Sequence, residues 1–196
     1  LVDWGDRETC VLFGDGAGAV YLEATEEPGD LLALELGADG ANPSVLHMDG
    51  VARRPPAITA AALDVRSALR EEAAFIRMEG RSVYRFATQV LDGSIRRVAA
   101  AAGWPVREID LVVPHQANVR IIHAASKTLD LPVERFFVNV DRYGNTSNGS
   151  VPIALCEAIE AGRLRAGARV VLASFGAGLT WAAVALRWSG GASSSR

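Results

Sequence analysis

The sequence predicts an α/β fold, and the pattern of apolar residues after position 75 is the main reason. Short apolar runs alternate there with longer stretches in which apolar residues recur near the helical period of about 3.6. Two of these runs, 109–113 and 136–140, are almost continuously apolar, which is typical of strands buried on both faces of a sheet. Because strands and helices alternate, we expect a mostly parallel sheet with helices on its faces.

Residues 1–37 are predicted to contribute strands as well. Residues 9–13 and 19–23 have the composition of two strands of a hairpin, joined by the glycine-rich segment 14–18. Residues 30–37 form a third extended run. Glycine and small residues beside strands indicate close backbone packing or a bend.

Residues 38–74 are predicted to be a variable insertion or loop region, because glycine and proline interrupt the first part of it repeatedly. We expect one helix within 58–74.

The other expected elements lie between 75 and 188, and a disordered tail is expected at 189–196. Asn118 is placed to cap one helix, and Ser150 to cap another that has Pro152 in its first turn. The expected strands are 75–78, 109–113, 136–140, 169–173 and 180–188, and the expected helices cover 83–98, 121–129 and 150–159.

Composition and charge argue against several classes of function. The formal net charge is −3, which does not suggest a nucleic-acid binder, and no apolar run is long enough to span a membrane. Cys10 and Cys156 lack the spacing of a metal site or a disulfide framework, so we expect reduced thiols, no metal and a cytoplasmic protein. The sequence begins with Leu1 rather than methionine, and we expect that it starts inside a longer protein.

Polar or glycine-rich turns follow three of the predicted strands, after Val113, Val140 and Ser174. In α/β folds, catalytic groups collect at the carboxyl ends of strands. A histidine, an asparagine and backbone amides at neighbouring strand ends form a cluster of hydrogen-bond donors, which suits the stabilisation of an enolate or oxyanion. Taken singly, the histidine could be structural, the asparagine could support a turn, and the glycines could form a plain hairpin.

The motifs at these turns resemble those of the β-ketoacyl-acyl-carrier-protein (ACP) synthase III family. They are VPHQAN at 113–118, DRYGNTS at 141–147 and SFGAGLTW at 174–181. FGDGAGAV at 13–20, and MEG followed by VYRFA within 78–87, resemble further segments of that family. The similarity runs from about position 9 to 188, and the motifs in this order are a specific combination.

The resemblance implies a thiolase-like α/β fold. Residues 75–188 then correspond to the C-terminal half of that fold, and residues 1–37 to the last strands of the N-terminal half. The implied reaction is a decarboxylating Claisen condensation of an acyl-CoA primer with malonyl-ACP. It needs no cofactor and serves fatty acid or polyketide biosynthesis. Family members are usually homodimers.

The resemblance also implies a role for each site residue. His115 and Asn145 are the decarboxylation pair, and the backbone amide of Ala177 belongs to an oxyanion hole. Phe175 and Asn118 support the substrate site. The basic side chains of Arg120 and Lys127 are expected to meet the acidic carrier protein.

The chain departs from the family pattern in three ways. Neither Cys10 nor Cys156 matches the nucleophilic cysteine, which is expected on an N-terminal half missing from this chain. Asn148 and Gly149 stand where small residues such as alanine or serine are usual. The segment between 37 and 80 is longer than expected, which leaves the acyl substrate open.

Two other functions stay open. One is a starter-unit acyltransferase of the same fold, and the other is a non-catalytic partner that binds acyl carrier protein. Retention of both His115 and Asn145 favours condensation. A nucleotide site at 14–18 is disfavoured, because the loop lacks a P-loop lysine and the later acidic partner of a dinucleotide fingerprint.

Overall fold

The computed structural model describes residues 2–24, 30–48 and 75–190. The helix predicted within 58–74, most of the region 38–74 and nearly all of the predicted tail lie outside these ranges.

The strands within the described ranges form a four-stranded sheet and a separate two-stranded ribbon. They are β1 (Leu31–Ala38), β2 (Leu46–Met48), β3 (Ile76–Met78), β4 (Leu111–Pro114), β5 (Arg169–Gly176) and β6 (Thr180–Arg187). In the sheet the order is β1-β6-β5-β4, and β2 pairs with β3 in the ribbon. The strands predicted at 30–37, 75–78, 109–113, 169–173 and 180–188 are confirmed, with small shifts of their ends.

The expectation of a mostly parallel sheet is wrong for the described residues. Only β4 and β5 run parallel, whereas β6 runs antiparallel to both of its neighbours, β5 and β1. The chain turns directly from β5 into β6 through residues 177–179, and so short a connection can join only antiparallel strands.

Within the ranges that the structure describes, the helices predicted at 83–98, 121–129 and 150–159 are confirmed, and one short α-helix was not predicted. They are α1 (Gly80–Ala101), α2 (Val119–Leu129), α3 (Val140–Tyr143) and α4 (Ser150–Glu160). Pro152 lies in the first turn of α4, where its missing N–H has no helical partner to lose.

Apolar clusters fill both sides of the sheet. On one side Leu91 and Ile95 of α1 and Ile122 of α2 pack with Val112. On the other side, Ala154 and Ala158 of α4 pack with Leu111 and Val113. Successive residues of β4 therefore point to opposite faces and are buried on both. These two helical layers hold the carboxyl end of β4 in place.

The hairpin predicted from 9–13 and 19–23 is not formed. Residues 7–12 make turns, residues 14–24 have no regular structure, and a single bridge joins Phe13 to Asn145. Val20, Tyr21 and Leu22 are exposed by 66%, 84% and 81%. Apolar composition predicted strands here, but no strand of the described residues lies beside this segment to form a ladder.

The strand predicted at 136–140 is also wrong. This segment makes one bridge, between Phe136 and Val112, and residue 140 already begins α3. The side chain of Gln116 takes up the backbone groups that a ladder would use. Its Nε2 donates to the Phe137 carbonyl at 3.0 Å, and its Oε1 accepts from the Asn139 N–H at 3.0 Å.

Candidate active site

A cleft of about 1390 Å³ opens where β4 and β5 end. Five of the seven predicted site residues line it, namely His115, Asn118, Asn145, Phe175 and Ala177. The structure therefore brings together three motifs that lie far apart along the chain. Arg120 and Lys127 do not line the cleft and are exposed on α2.

His115 follows the last residue of β4, and its backbone N–H continues the ladder by donating to the Ala173 carbonyl at 2.8 Å. Its ring lies edge-on to Phe175 with 5.2 Å between ring centroids, and Nδ1 is 2.6 Å from Ser150 Oγ. The residue is only 7% exposed. Burial lowers the pKa of His115 to about 4, so the imidazole is neutral at physiological pH.

Asn145 is positioned by its backbone. Its N–H donates to the Leu12 carbonyl at 2.8 Å, and its carbonyl accepts from the Gly14 N–H at 3.0 Å. The side-chain Oδ1 accepts from the Ser147 N–H at 2.9 Å. Oδ1 thus already accepts one hydrogen bond, whereas no described residue accepts one from Nδ2, so its two N–H bonds are available to a ligand in the cleft.

Gln116, Asn139 and Ser150 support the site, and no role was predicted from the sequence for the first two. Gln116 is 1% exposed and joins β4 to the segment before α3, as described above. Asn139 is 2% exposed and donates from Nδ2 to Glu157 at 2.8 Å. The sequence feature that could have indicated a role for Gln116 is its position directly after His115 in the motif at 113–118.

Ser150 was predicted to cap α4, and this prediction is wrong. Gly149 occupies the cap position, without a side-chain hydrogen bond, and Ser150 is the first helical residue. The Ser150 hydroxyl instead lies between His115 Nδ1 and the Gln116 N–H, which donates to it at 3.2 Å. A serine at a helix start is usually interpreted as a cap, and its contact with His115 depends on where β4 ends.

Glu157 on α4 connects this support to α3. Besides Asn139, it accepts from Arg142 and from the Tyr143 hydroxyl, each at 2.5 Å. Burial would raise the pKa of Glu157, but the hydrogen bonds from Tyr143 and Asn139 and the charge of Arg142 outweigh burial, and the pKa is lowered. The carboxylate is therefore charged and ties α4 to the helix that precedes Asn145.

The remaining predicted residues shape the cleft. Asn118 caps α2, as expected, since its Oδ1 accepts from the Arg120 N–H at 2.9 Å. Ala177 is exposed in the turn after β5, and its carbonyl accepts from the Thr180 hydroxyl at 3.0 Å. Phe175 is buried behind His115.

An aromatic row runs beside the cleft, which is lined by its two end members, Phe175 and Trp181, but not by Phe86 between them. Phe175 meets Phe86 edge-on at 6.3 Å, and Phe86 meets Trp181 at 6.0 Å. The Trp181 indole donates to Glu35 at 2.9 Å, and Arg97 donates to the same carboxylate. Burial opposes ionisation of Glu35, yet these hydrogen bonds prevail and lower its pKa. The charged Glu35 carboxylate therefore holds the Trp181 indole in place.

Neither cysteine lines the cleft. Cys10 is half-buried, and Cys156 is exposed on α4. Within the described ranges, no group of three or more His, Cys, Asp or Glu residues is arranged to hold a metal ion. The helices of the same ranges include none that is long and apolar enough to cross a membrane.

Comparison with known families gives two matches. Residues 99–188 match the model of the 3-oxoacyl-[acyl-carrier-protein] synthase III C-terminal region, and residues 1–40 match the model of 3-oxoacyl-[acyl-carrier-protein] synthase III. Together they cover about two thirds of the chain.

Individual relatives are similar over nearly the whole chain. The β-ketoacyl-[acyl-carrier-protein] synthase III of Roseiflexus castenholzii is 47% identical over 191 residues, which is 97% of this chain and 56% of the relative. That of Symbiobacterium thermophilum is 47% identical over 188 residues, or 96% of this chain and 55% of the relative. The chain thus spans a little over half the length of these relatives.

Solved structures agree with the fold. The 3-oxoacyl-[acyl-carrier-protein] synthase III of Aquifex aeolicus superposes with a TM-score of 0.81 at 42% identity, over 95% of this chain and 54% of that one. The priming β-ketosynthase of the R1128 polyketide pathway superposes with a TM-score of 0.74 at 29% identity, over 96% and 53%. The predicted thiolase-like α/β fold is confirmed.

Proposed function

Since the chain belongs to the 3-oxoacyl-[acyl-carrier-protein] synthase III family, we propose that the protein it forms part of is an acyltransferase. It condenses an acyl-CoA primer with malonyl-ACP and releases carbon dioxide. The observation that supports this most is the presence of His115 and Asn145 in one cleft, each with hydrogen-bond donors available to a ligand.

In the proposed reaction, the bond between the carboxylate and the α-carbon of the malonyl group breaks. Carbon dioxide leaves, and the electron pair forms an enolate of the thioester. His115 and Asn145 each donate a hydrogen bond to the enolate oxygen. The α-carbon then attacks the carbonyl of an acyl-cysteine, the carbon–sulfur bond breaks, and the thiolate leaves. The product is a 3-oxoacyl-ACP.

A neutral histidine suits this role. The enolate oxygen becomes more negative as the reaction proceeds, so donors placed beforehand stabilise the transition state more than the substrate. One such donor contributes about 3 kcal/mol, or some hundredfold in rate. The low pKa of His115 keeps the imidazole a hydrogen-bond donor rather than a proton donor, so the enolate is left unprotonated and free to attack.

The partners are part of the proposal. A cysteine outside these 196 residues accepts the acyl group from acyl-CoA, its proton goes to the coenzyme A thiol that leaves, and the backbone N–H of Ala177 binds the new thioester's oxygen. Arg120 and Lys127, both exposed on α2, meet the acidic carrier protein. The reaction balances with these substrates and protein groups, so no cofactor is proposed. We also propose a homodimer in the cytoplasm.

The test uses the naturally encoded protein that contains this chain. It is incubated with malonyl-ACP labelled in the free carboxyl group, with and without acyl-CoA, while carbon dioxide and intact mass are measured. Release of one carbon dioxide for each 3-oxoacyl-ACP supports condensation. Acyl transfer without release of carbon dioxide would instead indicate a starter-unit acyltransferase. Carrier-protein binding with neither reaction would indicate a non-catalytic partner.

A further inference from the structure

The hydroxyl of Ser150 sits between two nitrogen atoms at the buried end of the cleft. His115 Nδ1 lies 2.6 Å from Oγ on one side, and the backbone nitrogen of Gln116 lies 3.2 Å from it on the other. Ser150 is 2% exposed, and its two partners are 7% and 1% exposed. All three groups are therefore largely shielded from water, and their protons have to be shared among themselves.

The direction of each hydrogen bond follows from the count of protons. The Gln116 N–H can only donate, so Oγ accepts from it. The hydroxyl proton of Ser150 then needs an acceptor, and His115 Nδ1 is the one acceptor that the described ranges offer it. If Nδ1 carried a proton, the buried hydroxyl would face two donors and have no acceptor, which costs about 1–3 kcal/mol.

The other ring nitrogen remains available to the cleft. His115 Nε2 has no hydrogen-bond partner among the described residues. Among the same residues, Glu35 Oε2 is the one side-chain polar atom that is both fully buried and unpartnered, so Nε2 is not fully buried. Nε2 therefore keeps contact with the space that His115 lines. A neutral imidazole has a single N–H, so whichever nitrogen carries it decides whether the cleft contains a donor or an acceptor.

We propose that Ser150 is a positioning residue, which donates to His115 Nδ1 and so fixes the tautomer whose Nε2–H faces the cleft. The role of that N–H in binding the enolate oxygen rests on the function proposed above. The opposite tautomer would present a lone pair to a negatively charged oxygen and would repel it. Ser150 thus acts on the reaction through the His115 ring and not through the substrate.

The experiment compares Ser150→Ala with Ser150→Thr, which retains the hydroxyl, in the naturally encoded protein. Ser126→Ala is the matched control, because its hydroxyl donates to the Leu131 carbonyl at 2.7 Å, away from the cleft. Long-range proton–nitrogen spectra of protein with ¹⁵N-labelled histidine report which ring nitrogen is protonated. The His115 signals are identified by their loss in His115→Gln. Malonyl-ACP decarboxylation is measured in parallel.

In the parent protein and in Ser126→Ala, we expect a single tautomer protonated at Nε2. Ser150→Ala should show the Nδ1–H tautomer and decarboxylate at least about tenfold more slowly, because a histidine in the wrong tautomer loses most of its catalytic value. Ser150→Thr should restore both. An Nδ1–H tautomer in the parent protein, or an unchanged tautomer in Ser150→Ala, overturns the inference whatever the activity.

The two proposals fail in different ways. A protein that never releases carbon dioxide from malonyl-ACP would refute the proposed function, while the spectra would still decide whether Ser150 sets the tautomer. Should Ser150→Ala not fold, the parent spectrum and that of Ser150→Thr remain decisive, since both must show protonated Nε2 for the inference to hold.

Discussion

His115 and Asn145 face the same cleft but are held in different ways. His115 directly follows β4, the edge strand of the described sheet, is 7% exposed, and has its ring hydrogen-bonded to the Ser150 hydroxyl. Asn145 is half-buried in a loop, and its backbone pairs with residues 12 and 14, more than 130 positions earlier in the chain. The position of His115 therefore depends on the packing around β4, and that of Asn145 depends on a segment without regular secondary structure.

The two proposed donors therefore respond to changes in different parts of the chain. Changes to the core around β4 act on the His115 ring, and changes to residues 12–14 act on the Asn145 loop. The residues that support His115 and those that support Asn145 are connected through Glu157. It accepts hydrogen bonds from Asn139, which also contacts Gln116, and from Tyr143, which lies two residues before Asn145. Substitutions at these three places should separate the contributions.

The largest effect is expected from His115→Ala. Loss of the donor should slow malonyl-ACP decarboxylation at least about hundredfold, whereas acylation by acyl-CoA, measured by intact mass, should persist in part. His123→Ala is the control, since His123 is exposed on α2 and does not line the cleft. Equal loss of both half-reactions would show that His115 is not specific to decarboxylation.

The next effect concerns pH and distinguishes the two residues by chemistry, because asparagine does not titrate. Burial lowers the pKa of His115 from 6.5 to about 4, so the unfolded chain binds more protons than the folded chain between these values. The contribution of His115 to the free energy of unfolding should therefore be fully present above pH 6.5. It should decrease by an amount on the order of 3 kcal/mol as the pH drops towards 4.

Urea unfolding between pH 4 and 7.5 measures the slope of the free energy of unfolding against pH. His115→Gln should reduce this slope, and Asn145→Ala should leave it unchanged. A slope that is the same in the parent protein and in His115→Gln would mean that His115 is not held neutral in the folded state.

A smaller effect is expected from Gly14→Ala, which tests the support of Asn145. A Cβ atom at Gly14 would lie 2.0 Å from the Tyr143 carbonyl oxygen, so the two backbones have to separate. We expect a loss of about 1–3 kcal/mol in stability and slower decarboxylation, with the histidine ring signals of His115 unchanged. A Cβ at Gly40 meets no atom within 4 Å, which makes Gly40→Ala the control.

The smallest effect is expected from Glu157→Gln. The substitution removes the charge that three donors share, and it should lower stability by about 1–2 kcal/mol, as measured by thermal or urea unfolding. Decarboxylation should fall less than in His115→Ala, because neither donor is removed. Glu160→Gln, at an exposed position one turn along α4, is the control, and a loss as large as that of Glu157→Gln there would argue against the network.

Much of the fold could be predicted from the sequence, and five of the seven predicted site residues line the cleft. The helices over 83–98 and 121–129 have strong apolar periodicity, and the motifs place His115, Asn118, Asn145, Phe175 and Ala177 at turns that do converge. The strand predicted at 136–140 failed because a side chain, Gln116, replaced the ladder's hydrogen bonds. Local composition carries no information about such a partner.

By itself, the sequence determined most of the helices and strands, because the periodicity of apolar residues is a local property of the chain. It failed for the hairpin expected from 9–13 and 19–23 and for the strand expected at 136–140. It also determined the family, because the motifs that resemble it are contiguous. Only the tertiary structure decided that β6 pairs with β1 and that residues 12–14 support Asn145. It likewise decided that Ser150 serves His115 rather than a helix end. Each of these rests on hydrogen bonds between residues far apart in sequence, which exist only once the chain has folded.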